Sequence, residues 1–182
     1  MEQPKVVLVT GIMASGKSTV AQLLAERLPR SAHVRGDAFR RMIVNGGVDI
    51  VPEGGDAMDE ELSLRYRIAA QVADEYVRAG FTAVVQDVVL GASVQEFVDL
   101  TTSRPVAVVV LTPRPEVVAR REDERPKSGY VDWTVKELDD YLRAETPRIG
   151  LWLDTSDQTP DQTVDEILAR MSEAIADAQG RP

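Results

Sequence analysis

Short runs of successive apolar residues alternate along the chain with longer stretches in which apolar residues recur every three to four positions. The short runs fall at 6–10, 32–35, 82–86, 106–111 and 149–153 and are rich in β-branched residues, so they read as strands. Several are apolar at neighbouring positions rather than alternate ones, which suits strands covered by helices on both faces. Between them, Val20, Leu23, Leu24 and Leu28 make one helical stripe, closed by Pro29. A longer helix is predicted over about 59–79, stopping at Gly80, a residue suited to a left-handed cap. Thr134 and Glu137 have the spacing of a capping box and open a helix toward Ala144. Thr159, Pro160 and Gln162 fit the cap, first-turn and box positions of a final helix, with a stripe through Val164, Ile167, Leu168, Met171 and Ile175. These stripes read as core, and the tail after about Ala178 is expected to fray.

Strands alternating with helices predict βαβ units and a parallel sheet. No repeat, low-complexity tract or linker divides the 182 residues, so one domain is expected over 1–182. Composition then removes several kinds of chemistry. With no cysteine, disulfides, thiolate metal sites and a cysteine nucleophile are excluded. His33 is the only histidine, so zinc held by several imidazoles is excluded too. A Ser-His-Asp triad would have to use His33, which otherwise reads as a residue on or beside a short strand. The net charge of −9 opposes non-specific binding to a polyanion, while leaving room for a local basic pocket. No stretch approaches the roughly 18 apolar residues of a membrane span. Nor does a signal-peptide pattern precede the first strand, and a cytoplasmic protein is expected.

The clearest chemical signal is Gly11-Ile12-Met13-Ala14-Ser15-Gly16-Lys17-Ser18, which matches G-x-x-x-x-G-K-[ST] and is followed by Thr19. It lies between a strand and an amphipathic helix, as phosphate binding requires. Glycines let the backbone around Gly11, Ala14, Ser15 and Gly16 turn its N–H groups inward, and the helix N-terminus adds partial positive charge. Lys17 is expected to reach the β- and γ-phosphates, Ser18 to ligate Mg²⁺, and Thr19 to hydrogen-bond the α-phosphate.

Asp37 follows the second strand, where ligand crevices of parallel sheets lie. It could accept a proton from an attacking substrate hydroxyl, cap a helix, or do both. Asp87 ends the third strand. It fits a Walker-B carboxylate that holds Mg²⁺ directly or through water, an acceptor contact, or a simple strand terminus. Arg120, Arg121 and Arg125 lie in a charge-rich stretch before Pro126 and Gly129. They read either as a mobile lid over about 120–132 that screens developing charge, or as ion pairs on a solvated helix face. Arg121 and Arg125 are one turn apart and could face one site. Arg40, Arg41, Asn45 and Arg65 are candidates for acceptor contact or solvated surface, and Trp133 and Trp152 read as packing residues.

The phosphate loop, Asp37, Asp87-Val88-Val89-Leu90-Gly91, Arg121-Glu122-x-x-Arg125 and Leu153-Asp154-Thr155-Ser156 together resemble the chloramphenicol phosphotransferase family of P-loop kinases. That family is related in fold to shikimate and nucleoside monophosphate kinases. The resemblance implies a three-layer α/β/α P-loop NTPase fold, with a five-stranded parallel sheet centred on strand one and an arginine-containing lid. It also implies ATP with Mg²⁺, Asp37 as base, Arg121 and Arg125 as lid arginines, and Thr155 near the adenine. Residues 39–58, where an acceptor should bind, have little aromatic content and do not match a chloramphenicol pocket. The expected reaction is transfer of the γ-phosphate of ATP to a hydroxyl of a small molecule, an antibiotic or a metabolite. Alternatives are a zeta-toxin-like sugar-nucleotide kinase, a polynucleotide kinase (which the acidic charge opposes), and a nucleotide-dependent ATPase switch without an acceptor.

Overall fold

The computed structural model describes residues 4–51, 54–124 and 133–176. Along them run β1 (Val6–Gly11), α1 (Lys17–Arg27), β2 (Ser31–Arg35), α2 (Gly36–Arg41), α3 (Asp56–Arg78) and β3 (Thr82–Gln86). There follow α4 (Ser93–Leu100), β4 (Val106–Leu111), α5 (Pro115–Asp123), α6 (Val135–Glu145), β5 (Leu151–Leu153), α7 (Pro160–Ala169) and β6 (Ile175–Ala176). The sheet order is β2-β3-β1-β4-β5, parallel throughout, with β6 added antiparallel to β4. The expected parallel sheet centred on the first strand is therefore present, and it gains a sixth strand.

Every residue of β1 and β4 is buried. Successive side chains point to opposite faces, so a strand apolar at all positions serves two cores at once. Val6, Leu8, Val108 and Val110 pack with Ala70 of α3, Phe97 of α4 and Leu142 of α6. Val7, Val9, Val109 and Leu111 pack with Leu24 of α1 and Ile167 of α7 on the other side. Three layers result. Both predicted capping boxes form: the Thr134 and Thr159 hydroxyls each accept an N–H three residues on at 3.2 Å. The Glu137 and Gln162 side chains return the bond at 2.9 Å.

The final helix is shorter than its stripe predicts. It ends at Ala169, a single 3₁₀ turn covers Met171–Ala174, and the chain becomes β6. The cause lies in the sheet. β5 has only three residues and pairs with Val109, Val110 and Leu111 of β4, leaving the start of that strand without a neighbour on this side. Val106 and Ala107 pair instead with Ala176 and Ile175, which satisfies backbone groups that burial would otherwise orphan. β5 is itself shorter than the predicted 149–153 because Gly150 adopts φ +73°, outside the extended region. The apolar runs in α4 and α5 were too short to be assigned from periodicity. The predicted frayed tail lies outside the described residues.

Asp74, near the end of α3, accepts hydrogen bonds from the Thr102 N–H (2.9 Å), the Thr102 hydroxyl (2.6 Å) and the Ser103 N–H (2.8 Å). It thereby fastens α3 to the turn before β4. Burial pushes the Asp74 carboxyl up, but the Thr102 and Ser103 donors outweigh it and hold the group below the usual carboxylate range. Asp74→Ala is expected to cost about 2–4 kcal/mol in urea unfolding at neutral pH. A folded-state pKa below the unfolded one stabilises above the ordinary carboxylate range and loses that contribution as pH falls through the depressed value. The two proteins should therefore converge in stability in acid.

Candidate active site

The register of the sheet brings its chemistry to one edge. Val9 and Arg35 both lie beside Gln86, and Gly11 lies beside Leu111. The carboxyl ends of β1 to β4 therefore finish near one level. The phosphate loop, Asp37 and Asp87 leave the sheet there, at the crevice position of parallel α/β sheets.

In the loop, Gly11 has φ +145°, and a Cβ on it would meet the Leu111 carbonyl oxygen at 2.5 Å. Only glycine allows this turn beside β4. Ala14 sits at φ +59°, and the Ser15 N–H donates to the Ile12 carbonyl at 3.2 Å, which tightens the bend. Gly16 is the N-cap of α1. Lys17 is buried, with Nζ donating to the Ile12 carbonyl at 2.7 Å. Ser18 and Thr19 are exposed in the first turn of α1, where helix N–H groups favour anions. Ser15 Oγ is buried without a hydrogen-bond partner among the described residues.

Asp37 is the second residue of α2, and the capping position belongs to Arg35. The reading of Asp37 as helix cap is therefore corrected: β2 runs straight into α2, which starts at Gly36, two residues before a cap at Asp37 would start it. Asp37 Oδ2 pairs with Arg41 at 2.9 Å, while Oδ1 is buried without a hydrogen-bond partner among the described residues. Asp87 is almost wholly buried. Its Oδ1 accepts the Val88 N–H at 2.7 Å, and its Oδ2 lies 2.9 Å from Arg65 Nε, itself buried on α3. That contact has ion-pair distance but not hydrogen-bond alignment, so Nε and Oδ2 both keep unused hydrogen-bonding capacity. Burial pushes the Asp87 carboxyl above the usual carboxylate range. Arg65, the Val88 N–H and Lys17 pull it back, and the negative charge of Asp37 adds to the rise.

Of these residues Gly36 was not assigned to the site from sequence, and Arg65 was a candidate for acceptor contact or solvated surface but not the partner of Asp87. Gly36 lies against the Asp87 carboxyl so closely that a Cβ would fall 2.1 Å from Oδ2. Arg65 is no solvated residue: it shares the buried face of α3 with Ala69 and Ala73. An arginine on an otherwise small and apolar stripe was the available signal.

Arg121, in the last turn of α5, bridges two segments. It donates from Nη1 to the Ser15 carbonyl at 3.4 Å and from Nη2 to the Thr155 carbonyl at 3.3 Å. Arg120 is exposed, so of these neighbours Arg121 is the one turned toward the phosphate loop. Thr155 is buried, with Oγ1 lacking a hydrogen-bond partner among the described residues. Arg125 and most of the expected lid lie outside the described residues. A cleft opens beside α2, lined by Phe39, Ile43, Met58, Leu62 and Ile68 together with Arg40, Glu61 and Arg65. Arg40 and Arg65 thus line it, whereas Arg41 and Asn45 do not. Among the described residues no group of three or more acidic or imidazole side chains is placed to cage a metal. No helix among them is long and apolar enough to cross a membrane.

Comparison with known proteins agrees with this fold. The AAA domain family model matches residues 6–147, and the chain belongs to that family. A UPF0200 protein of Aeropyrum pernix is 32% identical over 144 residues, which are 77% of this chain and 75% of the relative. A sugar kinase from Janibacter sp. HTCC2649 superposes with a TM-score of 0.70 at 22% identity, covering 93% of this chain and 95% of that one. The APS kinase of Mycobacterium tuberculosis in complex with AMPPNP and APS gives 0.66 at 21% identity, covering 94% and 99%. At these identities the two structures speak for the fold: a parallel α/β sheet wrapped by helices, as in P-loop kinases.

Removing Arg65 would leave Asp87 buried and uncompensated. Arg65→Ala is expected to cost about 3–5 kcal/mol in urea unfolding near neutral pH. With the guanidinium gone, the Asp87 pKa rises further above its unfolded value. The penalty should then be smallest below the ordinary carboxylate range and grow as pH climbs toward the raised value. Stability curves for the variant and the wild type between pH 4 and pH 8 would show this slope.

Proposed function

We propose that this AAA domain family member transfers the γ-phosphate of ATP to a hydroxyl group of a small molecule, an antibiotic such as chloramphenicol or a metabolite. The observation that carries the reading is Asp37 Oδ1, buried and without a hydrogen-bond partner among the described residues, in a carboxylate that acts electrostatically on Asp87 together with Lys17. A carboxylate placed this way at the strand edge is suited to accept a proton.

In this mechanism Asp37 orients the acceptor hydroxyl and takes its proton as the oxygen attacks the γ-phosphorus. The bond between that phosphorus and the bridging oxygen breaks, and ADP leaves. Backbone N–H groups of the phosphate loop and the first turn of α1 hold the phosphates. Lys17 swings from the Ile12 carbonyl to the transferring group, and Arg121, already against Ser15, offsets negative charge on its oxygens. Magnesium would supply further neutralisation of the phosphate charge here. The exposed Ser18 hydroxyl fits it as a ligand, and Asp87 Oδ2, with acceptor capacity to spare, fits it through water. Thr155 borders the base, and residues 120–132 act as the lid with Arg125. The acidic net charge disfavours a nucleic-acid acceptor.

Incubation with Mg-ATP, chloramphenicol and a panel of hydroxylated antibiotics and metabolites, read by mass spectrometry, tests this directly: a phosphate adduct is expected. Asp37→Asn should lower transfer by at least about 100-fold while nucleotide binding persists. Unchanged turnover would remove Asp37 as base and favour a nucleotide switch. Lys17→Ala should weaken nucleotide binding in titration calorimetry, or transfer, because phosphate charge is left uncompensated.

A further inference from the structure

The cleft beside α2 is built on the same two helices, α2 and α3, that carry Asp37 and the partner of Asp87. Its wall begins with Phe39 and Arg40, one turn beyond Asp37, and ends on Arg65, the partner of Asp87. An acceptor reaching from this cleft to the first turn of α2 would present its hydroxyl to Asp37. The chemistry of the wall then selects what the rest of the acceptor can be.

Eight of the eleven lining residues are apolar, and each of the three polar ones has a contact within the protein. Glu61 Oε2 accepts the Val48 N–H at 2.9 Å. Arg40 reaches the Val48 carbonyl at 3.5 Å and Asp49 at 3.6 Å. Arg65 is paired with Asp87. The contacts of Glu61 and Arg40 fasten the 48–49 segment across α2 and α3, and three polar side chains among eight apolar ones leave the cleft few polar groups to offer a ligand. A polyol would give up its water hydrogen bonds on entry and recover few of them, which costs binding. An aliphatic or aromatic body would instead gain from leaving water. Further apolar side chains, Met42 and Val44, stand exposed on the loop after α2.

Resting on the kinase reading above, we infer that the acceptor is an alcohol with a single reactive hydroxyl on an apolar body, held in the α2–α3 cleft, and not a polyhydroxylated sugar or sugar acid. Its hydroxyl oxygen forms the new bond to the γ-phosphorus, its proton goes to Asp37, and ADP departs with the bridging oxygen.

The test uses the full chain with 3-phenyl-1-propanol and geraniol as apolar alcohols, and glucose and gluconate as polyols. Binding is measured by calorimetry in the presence of Mg-AMPPNP, and transfer by mass spectrometry with Mg-ATP. The apolar alcohols should bind at least about tenfold more tightly than the polyols and be the ones phosphorylated. Ile43→Asp and Leu64→Glu, at solvent-exposed positions on the cleft wall, should each weaken that binding by at least about tenfold. Affinity for AMPPNP should remain unchanged in both. Tighter binding or phosphorylation of a polyol would overturn the acceptor class and leave the kinase reading standing. Binding of the apolar alcohols that neither variant weakens would overturn their place in the cleft. Tight, variant-sensitive binding with no phosphate adduct would overturn the kinase reading and retain the preference of the cleft.

Discussion

A carboxylate that must remain buried at the end of β3 ties this structure together. Asp87 cannot be desolvated alone, and Arg65 answers it from α3 at ion-pair distance. The pair sets how α3 lies against the sheet edge. Gly36 leaves no atom between β2 and that carboxyl, so the step from β2 into α2 is set by the same contact. Because α2 begins at Gly36, Asp37 is in its first turn, and the cleft wall starts at Phe39. The phosphate site and the neighbouring cleft therefore share one electrostatic anchor.

The phosphate loop depends on different physics. Its shape comes from backbone: Gly11 passes against the Leu111 carbonyl, Ala14 takes a left-handed conformation, and α1 begins at Lys17. Arg121 then connects that loop to Thr155 through two carbonyls. Three chain segments far apart in sequence are thus held at one edge by contacts that a bound anion would reinforce. Thr10 adds to the framework. Its hydroxyl donates to the Val89 carbonyl at 2.7 Å and accepts the Val89 N–H at 3.0 Å, fixing the segment after Asp87 to β1.

Much of the fold was legible because it depends on local signals. The runs in β1 and β4 are apolar at consecutive positions because two cores cover them, and that pattern is visible in one dimension. Thr134 with Glu137, and Thr159 with Gln162, announce helix starts through hydrogen bonds spanning three residues. The stripe through Met171 and Ile175 misled for the opposite reason. The vacant edge of β4 beside Val106 and Ala107 lies about seventy residues away, and no local pattern records it. Likewise Asp37 was legible as a carboxylate after a strand, but its exclusion from the capping position depended on where α2 begins.

Sequence by itself determined the five parallel strands, four of the helices between and after them, the phosphate loop with its lysine, and the acidic residues following two strands, since each follows from short-range sterics, hydrogen bonding and periodicity. Tertiary structure alone decided which arginines face the site. Arg120 and Arg121 are adjacent letters, yet helix geometry sends one to solvent and the other to Ser15 and Thr155. Arg65 reads as an acceptor contact or a solvated charge until the sheet places Asp87 opposite it. Burial and pairing are properties of two distant segments together, so only the folded chain could assign them.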